Sequence, residues 1–281
     1  MKVLKELPLS IGISLRLLSI PSKRLKVRTG NEIPVIISLT SIPTRLKTLH
    51  LVIRNLMVQS KSPRKIVLWL ETDLEDQVPS SLTKLTGERF EIRFSDRCTS
   101  AHSKLIHTLE AYPDEVIVTC DDDFLYRRNW LSLLYSEHLE HPDCIVAHHT
   151  LHINHDASGN PLPFKKWKYP PDGRINPEAV YPLGAWGVLY PPHCLSEEVN
   201  NREMFMKMAP KADDHWFKAM SLLKGTRSIR TSKRPKEPIP VINTQKVALK
   251  KENIGEGKNT VQWQALEDHY NLSDIILKGE A

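Results

Sequence analysis

From Ile33 onward the chain alternates two hydrophobic rhythms. Residues 34–40, Pro-Val-Ile-Ile-Ser-Leu-Thr, form a short apolar run rich in β-branched side chains, the pattern of a strand buried on both faces. From Arg45 to Val58 the apolar positions Leu46, Leu49, Val52, Ile53, Leu56 and Met57 recur at helical spacing. Residues 65–70 and 90–94 predict a second and a third strand, with a short helix over 73–85 between them. A helix over 100–111 places Ala101, Leu105, Ile106 and Leu109 on one face, and Glu115–Cys120 predicts a fourth strand. Strands alternating with helices imply a mostly parallel sheet covered on both faces. In such sheets ligands bind beyond the carboxyl ends of the strands, where Thr40, Ser41, Glu71, Asp96 and Asp121 stand.

After Trp130 the rhythm changes. The pattern predicts a helix over 130–140, a strand over 144–152 and a helix over 213–224. Residues 156–183 are rich in proline, which implies a long ordered loop or a flexible lid. Residues 235–240 are extended, and an amphipathic helix covers 260–269. Neither an internal repeat nor a glycine-rich linker divides the chain, so 31–281 reads as one domain behind an N-terminal arm, 1–30.

Composition narrows the class. With 281 residues, 40% hydrophobic and 26% charged, the chain can bury a large core, which excludes a disordered or fibrous protein. Four cysteines (Cys98, Cys120, Cys144, Cys194) lack CxxC spacing and read as reduced thiols in a cytosolic setting. The formal net charge is +6, which favours anionic partners. The excess is concentrated: residues 1–30 carry seven basic side chains against Glu6 alone, and 227–251 carry eight against Glu237 alone. The second run lacks aromatics for base stacking, so no nucleic acid is expected there. The apolar stretch Leu7–Ile20 is broken by Arg16 and is too short to span a bilayer. The basic run Lys23–Arg28 stands where a signal-peptide cleavage site belongs, which argues against a secretory leader. The arm suits a membrane surface or, equally, a helix capping the domain or a frayed end.

The sharpest chemical feature is Asp121-Asp122-Asp123, directly after the fourth strand. Adjacent carboxylates repel one another, and a cation relieves that repulsion. Mg²⁺ and Mn²⁺ are commonly held by one or two carboxylates together with substrate phosphates. The alternative is an acidic turn capping the next helix. A second pair, Asp213-Asp214, opens the helix over 213–224. It serves either as N-cap and dipole partner or as a base facing the same cleft. His148, His149, His152 and His155 lie close together beside Asp156; such a tract suits zinc, but on one strand His148 and His152 face one way and His149 the other, so all four cannot converge, and cleft-lining or ordinary strand histidines are the alternative. Gly255-Glu-Gly-Lys-Asn259 is either a basic loop able to close over a phosphate or an ordinary turn.

Taken together, Ser38-Leu-Thr-Ser-Ile-Pro-Thr-Arg45, Ser103-Lys104, the strand with Asp121-Asp122-Asp123, Gly184-Ala-Trp-Gly187 and Ala212-Asp213-Asp214 resemble nucleotide-sugar glycosyltransferases of the GT-A fold. The exostosin-like branch and bacterial capsule and lipopolysaccharide enzymes are similar over about residues 33–225. The resemblance implies a Rossmann-like α/β domain with a DxD turn after the fourth strand. Its nucleotide-binding half would be 31–125 and its acceptor half 126–281. It implies that Asp121 and Asp123 hold Mn²⁺ or Mg²⁺, with His269 a candidate third ligand. Thr40, Ser41, Arg45, Lys104, Asp121 and Asp122 would border the nucleotide sugar. Gly184, Trp186 and His152 would border the sugar and acceptor, and Asp213 or Asp214 would be the catalytic carboxylate. The exostosin-like group carries Glu-Asp where this chain has Asp213-Asp214, so which carboxylate acts stays open. The implied reaction moves a sugar from a nucleoside-diphosphate sugar, a UDP-sugar first, to a glycan or lipid-linked acceptor in surface polysaccharide assembly. The reduced thiols, the basic arm and the lack of a leader pattern lead us to expect a cytoplasmic setting, with or without peripheral contact at the inner membrane face. Two other readings stand beside it: a nucleotidyl- or phosphotransferase with the same carboxylate–metal logic, and a non-enzymatic basic protein binding membranes or polyanions.

Overall fold

The computed structural model describes residues 2–97, 99–242, 244 and 257–279, with side chains from Glu6 onward. Cys98 and the stretch 245–256, which carries Lys246, Lys250, Lys251, Gly255 and Glu256, lie outside the described residues. Two helices, α1 (Lys2–Leu18) and α2 (Ser22–Lys26), precede the first strand, β1 (Glu32–Thr40). Next come α3 (Leu46–Met57), β2 (Ser62–Glu71), α4 (Ser80–Thr83), β3 (Phe90–Ser95), α5 (Ser103–Ala111) and β4 (Val116–Thr119).

The β1 strand shows why this half folds as it does. Its odd positions Val35, Ile37 and Leu39 are fully buried in a cluster with Leu49, Val52, Ile53 and Leu56 of α3. Ile36 faces the other way and packs with Val67 and Trp69 of β2, the period-two alternation of a strand covered on both sides. Ser38 would be an uncompensated polar group in that core. Its Oγ lies 2.6 Å from Thr108 Oγ1 on α5, and the Trp69 indole donates to the same Thr108 oxygen at 2.7 Å.

The second half supplies β5 (Phe124–Leu125), α6 (Trp130–Glu140), β6 (Ile145–Ala147), β7 (Thr150–His152), β8 (Val180–Pro182), β9 (Val188–Tyr190), α7 (Arg202–Met208), α8 (Asp213–Lys224), β10 (Ser228–Arg230) and β11 (Ile239–Pro240). Two closing helices, Lys258–Tyr270 and Leu272–Lys278, complete it. The central sheet has seven strands in the order β3-β2-β1-β4-β9-β6-β10. All are parallel except β9, which runs antiparallel to both β4 and β6. A mostly parallel sheet between helices, with three aspartates directly after β4, is the GT-A-like Rossmann arrangement that the resemblance implied. The chain runs from β1 outward to β2 and β3, then returns to β4 on the other side of β1. The carboxyl ends of β1 and β4 therefore flank a topological switch point, the crevice where such sheets bind ligands.

Several elements differ from the sequence expectation. The helix expected over 73–85 is a 3₁₀ turn, Thr72–Gln77, and then the one-turn α4. Pro79 lies between them; it lacks an N–H and disfavours helical geometry at Val78. The single strand expected over 144–152 is two strands in different sheets. The buried His148 ends the first, its ring nitrogens 2.9 Å from Thr231 Oγ1 and 2.9 Å from the Trp130 carbonyl. Residues 156–183 are ordered: β8 pairs with β7, and Trp167 and Phe164 are buried against Tyr181 and His215. The last helix starts earlier than 260 and is succeeded, after Asn271 in the left-handed region (φ 51°), by a further helix. The N-terminal arm is helical and caps the sheet's first half. Arg54 donates to the carbonyls of Leu17 (3.1 Å) and Ile20 (2.7 Å) and to Ser22 Oγ (2.9 Å), and Leu17 and Leu25 are buried. Cys120 and Cys194 are buried free thiols and Cys144 is a half-buried one. Burial raises the pKa of Cys120 well above its ordinary value and that of Cys194 to about 12. No helix among the described residues is long and apolar enough to cross a membrane.

Entry into β9 requires glycine. Gly187 has φ +95°, and a Cβ there would collide with the Trp130 indole. Gly187→Ala is expected to lower unfolding free energy by about 2–4 kcal/mol, combining left-handed strain with overpacking. Urea titration of the variant against wild type measures it.

Candidate active site

The acidic turn is held from three sides. Asp122 accepts from Ser41 Oγ at 2.5 Å and pairs with Arg45, which also reaches Asp123 at 3.0 Å. Ser41 and Arg45 leave the end of β1 and the aspartates leave the end of β4, so these contacts lie across the switch point. Asp122 and Asp123 are buried, whereas the Asp121 side chain is 31% exposed. Burial raises the pKa of Asp122 despite the opposing pull of Arg45 and Ser41. The backbone is fixed as well. The Asp121 N–H donates to the Tyr126 hydroxyl (2.9 Å), which donates to the Ala185 carbonyl (3.2 Å), and the Trp130 indole donates to the Trp186 carbonyl at 2.6 Å.

The second acidic pair meets the first through Lys104. The helix position before α8 is Ala212, which has no capping side chain. Neither Asp213 nor Asp214 is therefore spent as an N-cap, although both lie in the first turn, where they also favour the helix dipole. Lys104 Nζ lies 3.1 Å from Asp121 and 2.8 Å from Asp213, with only 7% of its side chain exposed. Burial alone would lower its pKa, but Asp121, Asp213 and Asp214 outweigh it and hold the ammonium firmly charged. Asp214 accepts from the Gly184 N–H at 2.9 Å. A Cβ on Gly184 would come within 2.6 Å of that carboxylate, so the close approach needs glycine. The two neighbours titrate in opposite directions. Burial and then the adjacent Asp213 push Asp214 up to about 7. Burial also disfavours ionised Asp213, but Lys104 and His102 overcome it and hold its pKa low.

Counting charge tests whether a cation fits. Five carboxylates (Asp121, Asp122, Asp123, Asp213, Asp214) face two cations, Arg45 and Lys104. Five minus two leaves a formal −3, or −2 with Asp214 protonated, which one divalent cation balances. Among the described residues these carboxylates do not converge as a ready cage of three ligands. Mg²⁺ and Mn²⁺ commonly take only one or two carboxylates, with phosphate oxygens and water in the other positions. The trio that does converge, Glu137, Glu140 and His141, lies at the C-terminal end of α6, where Glu137 already accepts from Ser232.

The other residues singled out in the sequence are more scattered. Thr40 donates to the Trp69 carbonyl at 2.9 Å. Trp186 is half-buried, its ring tilted against His149 at 4.9 Å. His152 is buried at a different place, on an open cavity of about 630 Å³ shared with His155, Asp156 and Arg174. His269 is exposed on the helix Lys258–Tyr270, against Tyr270. Sequence reasoning missed Tyr126, which sits five residues after Asp121 with nothing in its spacing to mark it. It also missed Lys218 and His102. Lys218 Nζ is buried with no hydrogen-bond partner among the described residues, and burial lowers its pKa to about 7. His102 is stacked on Phe205 at 4.4 Å, and burial lowers it to about 4.

No family model matches the chain, and no curated protein matches it. Among solved structures, it is similar to a CMP:2-keto-3-deoxy-manno-octonic acid synthetase complexed with CTP, at 10% identity and TM-score 0.46, over 81% of this chain and 99% of that one. It is also similar to a mannosyltransferase from Pyrobaculum calidifontis in complex with GDP-Man and Mn²⁺, at 12% identity and TM-score 0.49, over 97% of this chain and 79% of that one. Both likenesses are low, and the chemistry of the site rests on this chain's own residues.

Asp214→Asn keeps an acceptor for the Gly184 N–H and removes the repelled charge. Wild-type Asp214 holds a proton in the folded state that the unfolded chain releases, so stability falls as pH rises from about 4 to about 7. The variant is expected to be more stable in EDTA at pH 8, by on the order of 2 kcal/mol, with the gain fading as pH falls toward 4. Denaturant titration across pH checks it. Lys218→Met is expected to be stabilising by about 1–4 kcal/mol below pH 7. The Lys218 penalty is full there and is relieved as pH rises toward the ordinary lysine value, so the advantage of Met shrinks over that window. Thermal melts from pH 6 to 10 measure it.

Proposed function

We propose that this protein is a metal-dependent glycosyltransferase. It moves a sugar from a nucleoside-diphosphate sugar, a UDP-sugar first among candidates, to a glycan or lipid-linked acceptor in surface polysaccharide assembly. The observation that carries the reading is Lys104, whose buried ammonium joins the acidic turn at the switch point to the carboxylate pair opening α8. Groups suited to a diphosphate and a group suited to an acceptor hydroxyl thus meet in one place.

The residues divide the work. Asp121 and Asp123 would hold Mn²⁺ or Mg²⁺, which when bound neutralises the diphosphate leaving group. Thr40, Ser41 and Arg45 border the nucleotide, and Arg45 fixes Asp122 and Asp123 in place. Lys104 offers a positive charge to the ribose or phosphate beside Asp121. Trp186 offers an aromatic face to a sugar, and Gly184 aims its N–H at Asp214. A carboxylate with a pKa near 7 matches general-base work at neutral pH. In an inverting reaction Asp214 takes the acceptor hydroxyl's proton; in a retaining one it faces the developing positive charge on the sugar. A nucleotidyltransferase would use the same acidic turn. The segment after β1, Ser41-Ile-Pro-Thr-Arg45, offers no glycine-rich cradle for a triphosphate, which favours transfer from a diphosphate.

The test is a thermal-shift panel of UDP, GDP, ADP, CMP and CDP with Mn²⁺, Mg²⁺ or EDTA. A native-state ligand at 100 Kd adds about 2.7 kcal/mol, a rise on the order of 5 °C for a domain of this size. One nucleoside diphosphate should raise Tm only with metal, and EDTA should abolish the rise. Asp123→Asn should fold normally, lose the shift and lose at least about a hundredfold in sugar transfer. Full turnover by that variant, or a nucleotide shift indifferent to metal, would overturn the assignment. Release of pyrophosphate from a triphosphate would move it to the nucleotidyltransferase reading.

A further inference from the structure

The arm leaves apolar surface uncovered in an ordered pattern. Among the described residues nine large hydrophobic side chains are exposed, and five of them, Leu9, Ile11, Leu15, Leu18 and Val27, lie within residues 1–30. On α1, Ile11, Leu15 and Leu18 stand at i, i+4 and i+7, exposed by 42%, 62% and 49%, so they form one stripe along the helix. This is not the face that holds α1 to the protein. Ser10, Ser14 and Leu17 are buried on another side, and Ser10 Oγ donates to the Pro240 carbonyl at 2.8 Å. Arg54 pins the turn into α2 through Leu17, Ile20 and Ser22. The stripe is therefore presented in a fixed orientation by a helix that is already folded.

The charges next to the stripe indicate its partner. Lys23, Arg24 and Lys26 on α2 are exposed, and none has a carboxylate within ion-pair distance among the described residues. Arg16 adds a fourth exposed cation on α1 itself. An apolar stripe beside unpaired cations is the surface of a helix that lies in a bilayer interface, its side chains entering the acyl boundary while lysine and arginine meet anionic headgroups. A second copy of the chain would bring the same cations against each other, so charge complementarity favours lipid.

We propose that α1 and α2 form a docking surface for an anionic lipid bilayer, with Ile11, Leu15 and Leu18 inserted and Lys23, Arg24 and Lys26 on the headgroups. Docking of this kind would hold the candidate active site close to the membrane. Pro240, on which Ser10 rests, belongs to β11, which pairs with β5 directly after the acidic turn, and the Val241 N–H donates to the Asp123 carbonyl at 2.8 Å. The docking itself does not depend on the transferase reading, and its test uses no enzymatic readout.

The full chain is sedimented with vesicles of phosphatidylcholine alone or mixed with phosphatidylglycerol, at low and high salt, and its mass in solution is measured by light scattering. The expected result is binding to the anionic vesicles only, weakened by salt. Each cation near an anionic surface contributes about fivefold, so Lys23→Gln/Arg24→Gln/Lys26→Gln should bind roughly a hundredfold more weakly. Leu15→Glu/Leu18→Glu should release the protein from vesicles while circular dichroism and Tm stay as in wild type, since both side chains are exposed. Failure to bind anionic vesicles, equal binding to neutral ones, or unchanged binding by the folded double variant would overturn the proposal. A wild-type dimer that the double variant dissociates, with no vesicle binding, would assign the stripe to self-association instead.

Discussion

A single buried ammonium, that of Lys104, holds together two acidic segments that come from opposite ends of the fold. Asp121 follows β4, the middle strand of the central sheet, and Asp213 opens α8 in the second half of the chain, and both carboxylates close on the same nitrogen. Breaking such a contact leaves a buried charge uncompensated, which is far worse than never having made it. Arg45 repeats the device on the other flank of the acidic turn, between Asp122 and Asp123. Cations and carboxylates here are not decoration on a finished scaffold. They determine how the end of β4, the start of α5 and the start of α8 sit relative to one another.

The cluster is also under tension. Its carboxylates outnumber its cations, and the group left without a cation of its own, Asp214, relieves the excess by holding its proton to about pH 7. Proteins concentrate such arrangements where chemistry needs a group poised between two states, and stability is lowered in exchange. The frame around it is correspondingly rigid. Tyr126 ties the backbone of Asp121 to Ala185, Trp130 holds the Trp186 carbonyl, and Gly184 and Gly187 allow the turn to pass close to Asp214 and Trp130.

How much of this was legible in the sequence depends on how local each signal is. The strands β1, β2 and β4 contain short apolar runs, β3 alternates apolar and polar residues, and α3, α5, α6 and α8 carry helical periodicity, so their order implied the parallel half-sheet and placed the acidic turn at its mouth. The antiparallel β9 is three residues long, too short for periodicity to register. The break at His148 depends on partners at Thr231 and Trp130, which no local window contains. At the site, the residue types were legible and the pairings were not. Lys104 could be placed at a helix start, but its bridge to Asp213 exists only in three dimensions. The competing reading of Asp213 as an N-cap fell to Ala212, which takes the cap position with no side chain able to fill it. His152 and His269 were placed by resemblance alone, and the chain brings neither into a described contact with the acidic turn.

The position of β9 bears on the order in which the molecule can be made. The strands β3, β2, β1 and β4 all lie within residues 32–119 and can pair before the rest of the chain exists. β6 emerges earlier than β9 yet touches β4 only through it, so β6 must wait for a later segment to slot between. During that interval the aspartates after β4 have Arg45 and Lys104 beside them and lack the helix that carries Asp213 and Asp214. The nascent chain thus meets its counter-charges before its excess of like charge.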